Sequence, residues 1–492
     1  MVHKKLRSCY FYMPVNIHEY WRAIMNYIEY LYPVIFLGVM GFVLLAIGIR
    51  SQSKKLFAAM AMASLAVSFI LVIIMPFNGL IYNQLKFSRF DEIFSLILII
   101  SVIIIVVPTM HDLKEKPDVF YALLLFMTAS MLIIAYSYNL IVLFVSFEGL
   151  TIITYILAAY NKTRRNLEGA VKYLFIGVIG TSFNIFGISL FYLSTRTFNL
   201  LNVVNISYSR ALILALVFMI IGFGFKLAIF PMQQWAIDTY DGSMNSVSSF
   251  LSTGSKIAAY FLFLKVLYLG FPGYNIYIFY FFAILSILTM TYGNVSALSE
   301  TNLKRMLAYS SVAQAGYLIL VYAIISYPYH TLVSRSVFID FGLASAAFYS
   351  LAYIFMKGAS FISMSIFKKD KIMIDDMAGL NKKSPLLAFS FAILLLSLAG
   401  VPITGGFLAK YFLFFTLIIG NIWWLAVIAI INSVISVFYY LRVITYEYRR
   451  PVKEEFNLTM GVKYTVIISA FITIALFFSF SLFSYILGVA RI

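Results

Sequence analysis

Five ionisable side chains stand inside long apolar runs: Glu148, Lys226, Lys256, Lys357 and Lys410. One carboxylate and four amines at such positions point to the movement of protons rather than to bond-making chemistry. A free lysine titrates near about 10.4, too high to trade protons at neutral pH. Desolvation disfavours its charged form, and a nearby carboxylate favours that form again. A drop of about three units corresponds to about 4 kcal/mol, within the range that burial supplies. A Glu148–Lys226 pair is therefore expected to work as a switch. Lys226 holds its proton while the glutamate is close, and releases it towards Lys256, Lys357 and Lys410 when the glutamate withdraws. Polar residues at helical spacing accompany these groups. Thr151 and Tyr155 follow Glu148, and Asn245, Ser249 and Ser252 precede Lys256. Ser310, Gln314 and Tyr317 stripe another run, and Ser350, Tyr353, Ser360 and Ser363 flank Lys357. A sodium route would need clustered oxygens, and Glu148 is the one carboxylate in mid-run. Lys172, near Glu168 and the basic loop Lys162, Arg164, Arg165, is a further relay candidate. Its place at the edge of a run equally suits a snorkelling side chain, and Lys265 is expected to snorkel at the outer end of its run.

The elements that must hold these groups are membrane helices. The chain has 492 residues, 63% hydrophobic and 11% charged, which implies an all-α polytopic membrane protein. Apolar stretches of spanning length lie near residues 28–49, 56–75, 94–110, 119–137, 140–159, 170–193, 211–230, 247–270, 276–295, 306–327, 341–366, 385–415, 419–445 and 459–487, fourteen in all. They form a single membrane domain over 1–492, with residues 1–27 as an N-terminal extension. Gly222, Gly224 and Pro231 interrupt the seventh stretch beside Lys226, and a loop with Trp235, Asp238, Tyr240 and Asp241 is expected to come next. Pro402 and Gly405-Gly406 interrupt the twelfth just before Lys410. Two broken helices with one lysine each are the mark of an inverted repeat. The units are spans four to eight (119–270) and nine to thirteen (276–445), and the odd offset of five reverses orientation. Facing Glu148 and the four lysines to lipid would cost about 12–18 kcal/mol, comparable to a domain's whole stability. They must share an interior, hydrated path.

The net charge of +17 reflects loop asymmetry, not nucleic-acid binding. Twenty of the 36 Lys and Arg fall in the loops of one side and ten on the other. The richer side is expected in the cytoplasm of a prokaryotic cell membrane, with both termini on the outer face. His18, Glu19 and Arg22 interrupt the stretch after Lys4, Lys5 and Arg7, so a cleavable signal peptide is not expected. Cys9 is the only cysteine, and His3, His18, His111 and His330 are scattered. No iron–sulfur, haem or disulfide framework can be assembled from them. Gly222-x-Gly224 lacks the third glycine and the strand of a nucleotide loop, and there is no Walker motif. The driving force must come from a partner or an ion gradient.

Several motifs resemble the antiporter-like membrane subunits of complex I and the related Mrp antiporters. They are Lys226 through Trp235-x-x-Asp-x-Tyr-x-Gly242 to Ser255-Lys256, Thr301-Asn-x-Lys-Arg-x-Leu-Ala-Tyr-Ser-Ser311 and Gly379-Leu-x-Lys-Lys-x-Pro385. Leu398-Ala-Gly-Val-Pro402 and Gly406-Phe-Leu-Ala-Lys410 belong with them. The likeness covers roughly residues 90 to 445. Asp238-x-Tyr-x-Gly242, Tyr439-Tyr-Leu-Arg442 and the lysine at 410 are most similar to the N-type branch, subunit 2 in mitochondrial usage. The resemblance implies Glu148 as the helix-five glutamate, Lys226 as its partner, Lys256 as the central relay and Lys410 at the outward exit. It implies proton translocation coupled to electron transfer, with quinone and iron–sulfur clusters, and flavin as a further candidate, on partner subunits and no cofactor on this chain. Those partners are other antiporter-like and small membrane subunits. Gln314 and Tyr353 stand where many relatives carry histidine, so the relay here leans on Lys357 and water. Rival readings are an Mrp-type cation/proton antiporter subunit, the membrane subunit of a proton-pumping hydrogenase and a purely structural scaffold.

Overall fold

The computed structural model describes residues 29–75, 79–81, 84–203, 208–272, 275–328, 335–369, 371–453 and 455–490. The N-terminal extension 1–27, with Cys9, and His330 lie outside the described residues. Helices α1 (Tyr32–Gly48), α2 (Lys54–Ile74), α3 (Arg89–Asp112) and α4 (Pro117–Tyr136) pack on one another. A two-stranded hairpin, with Leu80 opposite Lys86 and Ile81 opposite Leu85, joins α2 to α3. Next come α5 (Leu140–Ala158), α6 (Arg164–Thr195) and α7 (Arg210–Leu227), followed by a short α8 (Gln234–Gly242). Then come α9 (Asn245–Ser252), α10 (Gly254–Gly270), α11 (Ile276–Ser299), α12 (Leu303–Ser326) and α13 (Arg335–Tyr353). The chain ends with α14 (Pro385–Ala399), α15 (Gly405–Ile419), α16 (Trp423–Arg449), α17 (Met460–Phe477) and α18 (Phe480–Val489). Among the described residues, twelve helical stretches are long and apolar enough to cross a membrane, counting 245–270 and 336–366 as one each.

Side chains with one preferred partner fix where these helices start. Ser53, Ser88, Asn139, Thr163, Ser209, Asn275, Asn302 and Thr404 each cap a helix by accepting from a backbone N–H of its first turn. Apolar side chains such as Val145, Phe175, Ile284 and Phe471 are exposed. A bilayer rather than water is the solvent that permits this. The stretches 245–270 and 303–326 are wholly enclosed by other helices, whereas only 33% of the apolar window of α6 or of α17 is buried. The enclosed pair carries Lys256 and the Ser310–Gln314 stripe.

Among the described residues, four breaks interrupt the spanning helices. The seventh ends with Ala228 in the left-handed region (φ 55°) and resumes as α8 after Pro231. Trp235, Asp238, Tyr240 and Asp241 thus ride a helical segment, not the loop expected from the sequence. The twelfth breaks between Ala399 and Gly405, where Gly400 has φ 85°, a conformation glycine adopts without strain. Two further breaks lie in stretches that read as continuous. Thr253 (φ −117°, ψ −86°) separates α9 from α10. Ile354–Gly358 forms a π turn that links α13 to the short helix Ala359–Ile362.

Candidate functional site

Lys226 lies in the last turn of α7 and is buried. Its Nζ donates to Thr154 Oγ1 on α5 (2.8 Å) and to the Tyr173 hydroxyl on α6, and sits 4.9 Å from the Tyr173 ring. Tyr173 stacks on Trp235 (4.2 Å, 9°), whose Nε1 donates to Phe225 O (2.8 Å) at the open end of α7. Glu148 lies on the other side of α5. It accepts from Thr181 Oγ1 (2.9 Å) and faces a cavity of about 570 Å³ between α5 and α6, lined by Ile152, Tyr155, Leu174 and Thr181. No ion pair joins Glu148 to Lys226, so the expected switch pair stands apart here because Thr154 and Tyr173 hold the ammonium. Tyr155 borders both: it lines the Glu148 cavity, its ring lies 5.9 Å from Lys226 Nζ, and its hydroxyl has no partner.

The other three amines share one pattern. Lys256 Nζ donates to Ser311 O (3.0 Å) and Oγ (2.8 Å) on α12, and the Tyr353 hydroxyl donates to the same Oγ (3.0 Å). Lys357, in the π turn, donates to the neighbouring Ser310 Oγ (2.8 Å), which also bonds the Tyr440 hydroxyl of α16. Gln314 donates to Leu398 O (3.0 Å) and accepts from the Tyr349 hydroxyl. Lys410 Nζ donates to Leu398 O (2.9 Å), Ala399 O (3.1 Å) and Ser433 Oγ (2.9 Å), 4.7 Å from the Tyr317 ring. It borders a second cavity of about 370 Å³ with Gly400, Phe407 and Ser433. A side chain at Gly400 would press on Lys410, since its Cβ would lie 3.0 Å from Lys410 Cδ. Serines 310 and 311 thus connect Lys256 to Lys357, and Gln314, one turn on, reaches the carbonyl that Lys410 also uses.

None of the four ammoniums pairs with a carboxylate among the described residues, and every acceptor they use has a second partner. Thr154 Oγ1 and the Tyr173 hydroxyl bond each other (2.9 Å). Ser311 has Tyr353, Ser310 has Tyr440, Leu398 O has Gln314, and Ala399 O accepts from Ser433 Oγ (2.9 Å). Each lysine can release its proton without orphaning a buried oxygen, and orphaning is the expensive event in a low-dielectric interior.

Lys172 behaves differently. Half-exposed on α6, it pairs with Glu168 (2.8 Å) and Asp238 (2.9 Å). Arg305 pairs with Asp238 (2.8 Å) and Glu300 (3.3 Å), while Arg165 pairs with Asp241, which also accepts from Asn302 Nδ2 (3.0 Å). Burial raises the Asp238 carboxyl, but hydrogen bonds from Lys172 and Arg305 outweigh it and hold the group below its ordinary range. Gly242 lets α8 close on α6, since a Cβ there would meet Arg165 O at 2.6 Å. The Asp-x-Tyr-x-Gly segment is therefore a clamp of charges beneath the break after Lys226.

Lys265 overturns its expectation. It does not snorkel. It is fully buried and pairs with Asp91 Oδ1 (2.8 Å), its Nζ 4.1 Å from the Tyr138 ring. Asp91 Oδ2 accepts from Tyr138 OH (2.9 Å), Ser88 Oγ (2.7 Å) and Ser88 N (3.1 Å). The ammonium faces Oδ1 while three donors hold Oδ2, which marks a fixed tie between α3 and α10. The sequence signal was an acidic residue in the capping box Ser88–Asp91, which reads as a cap alone. Among the described residues no three His, Cys, Asp or Glu side chains converge as metal ligands.

Residues 137–436 match the family model described as NADH:quinone oxidoreductase/Mrp antiporter, TM. The chain is 34% identical over 461 residues to the F(420)H(2) dehydrogenase subunit N of Methanosarcina mazei, covering 87% of this chain and 90% of that protein. It is 35% identical over 363 residues to the NADH-quinone oxidoreductase subunit N of Trichlorobacter lovleyi, covering 71% and 72%. Among solved structures, a chain of respiratory complex I from Thermus thermophilus with bound aureothin superposes with a TM-score of 0.78 at 26% identity, over 92% of this chain and 98% of that one.

Proposed function

Because this chain belongs to the NADH:quinone oxidoreductase/Mrp antiporter transmembrane family, we propose that it is a proton-translocating membrane subunit of a complex I-type oxidoreductase. Electron transfer takes place on partner subunits, which hold the quinone and iron–sulfur centres. The work of this chain is to carry protons past Glu148, Lys226, Lys256, Lys357 and Lys410. The observation that carries the reading is that the four buried lysines donate to hydroxyls and backbone carbonyls and, among the described residues, to no carboxylate. A fixed counter-ion would pin each ammonium. Hydroxyls and carbonyls with second partners leave it free to alternate.

Protons enter the first half through the Glu148 cavity and reach Lys226 by way of Tyr155, which lines that cavity and whose ring borders the ammonium. From Lys226 the charge state of Lys256 is set electrostatically. The Ser311–Ser310 pair then transmits it to Lys357, and Gln314 with Leu398 to Lys410 at the exit. Lys172 supports this path by holding α8 through Asp238. Fourteen crossings accommodate it: the twelve long stretches, α1, and α14 with α15 as one broken crossing. Two inverted five-helix units, residues 119–270 and 276–445, place the break after Lys226 opposite the break before Lys410. The excess of Lys and Arg puts the α6–α8 clamp in the cytoplasm and both termini outside.

The test is purification in mild detergent and then reconstitution. Co-purification with iron–sulfur and quinone-site subunits, and acidification of vesicles driven by electron transfer, is the expected result. Recovery with small antiporter partners alone, and cation-driven proton exchange without electron transfer, would assign the chain to an Mrp-type antiporter instead.

A further inference from the structure

Glu447, in the last turns of α16, is fully buried, and neither carboxylate oxygen has a hydrogen-bond partner among the described residues. No ion pair reaches it among the described residues, although cations crowd this end of the helix. Arg442 donates to Leu298 O (2.9 Å) and Glu300 O, Arg450 lies over the Tyr446 ring (5.2 Å), and Lys453 pairs with Asp375. An isolated buried carboxylate costs several kcal/mol. Asp91 shows how this protein treats an acid whose role is structural, with four contacts at 2.7–3.1 Å. Glu447 has none of that support, so it persists by binding a proton.

Its position gives that proton a destination. Glu447 is seven residues beyond Tyr440, so both lie on one face of α16, about 10.5 Å apart along the axis. The Tyr440 hydroxyl bonds Ser310, which accepts from Lys357. Ser436 and Ser433 continue the same face, and Ser433 holds Lys410. One helix face therefore links two relay lysines to a free acid at the cytoplasmic end. The second repeat has no glutamate in the place of Glu148, and α16 supplies one from another helix. The segment Leu380–Lys383, packed on α16, carries another buried atom without a partner among the described residues, Asn381 Oδ1, beside exposed Lys382 and Lys383.

We propose that Glu447 is the proton-loading carboxyl of the second half, taking protons from the cytoplasmic side and feeding Lys357 through Tyr440 and Ser310. This rests on Lys357 being a relay group. The carboxylate gains a proton from water at the Leu380–Lys383 edge. The carboxyl O–H then breaks, and the proton crosses to Tyr440 through about four hydrogen bonds made by water admitted past the buried Val443, which lies between the two on this face. Tyr440 passes its own proton to Ser310, and Ser310 passes one to the neutral Lys357 amine. The net change is one carboxyl O–H lost and one ammonium N–H gained.

The test is the proton-to-electron ratio of the whole complex in liposomes. Glu447→Gln keeps size and shape and removes the titrating group. It should lower the ratio to that of Lys357→Ala, while Glu447→Asp retains at least half of the difference. Tyr440→Phe should match Glu447→Gln, and the double variant should fall no further, as expected for groups acting in series. If Glu447→Gln does not assemble, Tyr440→Phe carries the same test by losing only a hydroxyl. A normal ratio in Glu447→Gln, or in Tyr440→Phe where that variant stands in, with a reduced one in Lys357→Ala, overturns the proposal and leaves the relay intact. A normal ratio in Lys357→Ala overturns both.

Discussion

Replacing Lys410 separates pumping from stability more cleanly than any other change. Its ammonium makes three hydrogen bonds, to Leu398 O, Ala399 O and Ser433 Oγ. Methionine in its place leaves no oxygen orphaned, because Leu398 O keeps Gln314 Nε2 at 3.0 Å and Ala399 O keeps Ser433 Oγ at 2.9 Å. The thioether fills a similar volume and adapts to irregular gaps. Three charge-assisted bonds are lost, but so is the cost of keeping an unpaired ammonium out of water. We expect the two to offset to within about 1 kcal/mol. Lys265→Met is the control, since it strands the Asp91 carboxylate and should cost about 3–5 kcal/mol. The assay is the rate of thermal inactivation of the purified complex, read beside the proton-to-electron ratio in liposomes. Lys410→Met should inactivate at nearly the native rate, within about fivefold, yet pump poorly. Lys410→Arg should hold the structure and also pump poorly, because a guanidinium does not release its proton. Lys410→Glu retains a group whose protonation can alternate, and should pump better than Lys410→Ala. An arginine variant pumping as well as the native chain would refute the reasoning, as would a methionine variant as fragile as Lys265→Met.

Glu148→Ala and Lys226→Ala should each reduce vesicle acidification while the complex still assembles, since Thr154 and Tyr173 hold each other once Lys226 is gone. Normal acidification in either removes that residue from the path. Asp238→Asn should loosen α8, measured as faster proteolysis between residues 228 and 245. Because the folded carboxyl titrates below its ordinary value, the difference from the native chain should stay constant above about pH 4 and shrink as pH falls through the folded value. A cysteine at Arg450, in a chain otherwise lacking Cys9, should react with an impermeant reagent only after cells are opened. Labelling of intact cells would reverse the orientation.

Twelve spanning stretches were legible from their hydropathy, and the two breaks at Lys226 and Lys410 from Pro231, Pro402 and their glycines, which disrupt the helix wherever they fall. The breaks at Thr253 and at Ile354–Gly358 were not. Gly254 was visible, but its purpose, a close approach to Ser101 on α3, is a tertiary fact. The π turn contains no proline, and its extra residue per turn is set by packing. Lys265 misled because its distance from the end of an apolar run describes reach, whereas its partner Asp91 lies on another helix. Glu447 lies just past the end of the apolar run at residue 445, outside every stretch expected to span. Nor does sequence say which acceptor a long side chain chooses, so Glu148 and Lys226 were expected as a pair although Lys226 turns to Thr154 and Tyr173.

The four breaks have a mechanical consequence. An intact α-helix resists bending because each residue is tied to the turn before it, so compliance gathers where those ties are missing. Here the gaps lie at Ala228, Thr253, Ile354–Gly358 and Gly400, each within ten residues of one amine along the chain. A load applied by a neighbouring subunit would leave the rods themselves nearly straight and deform the molecule at these joints. The lysines lie close to these joints, and their bonds of 2.8–3.1 Å need stretch by only about half an ångström to lose most of their strength. Strain arriving from outside would thereby become a change of hydrogen bonding at the amines.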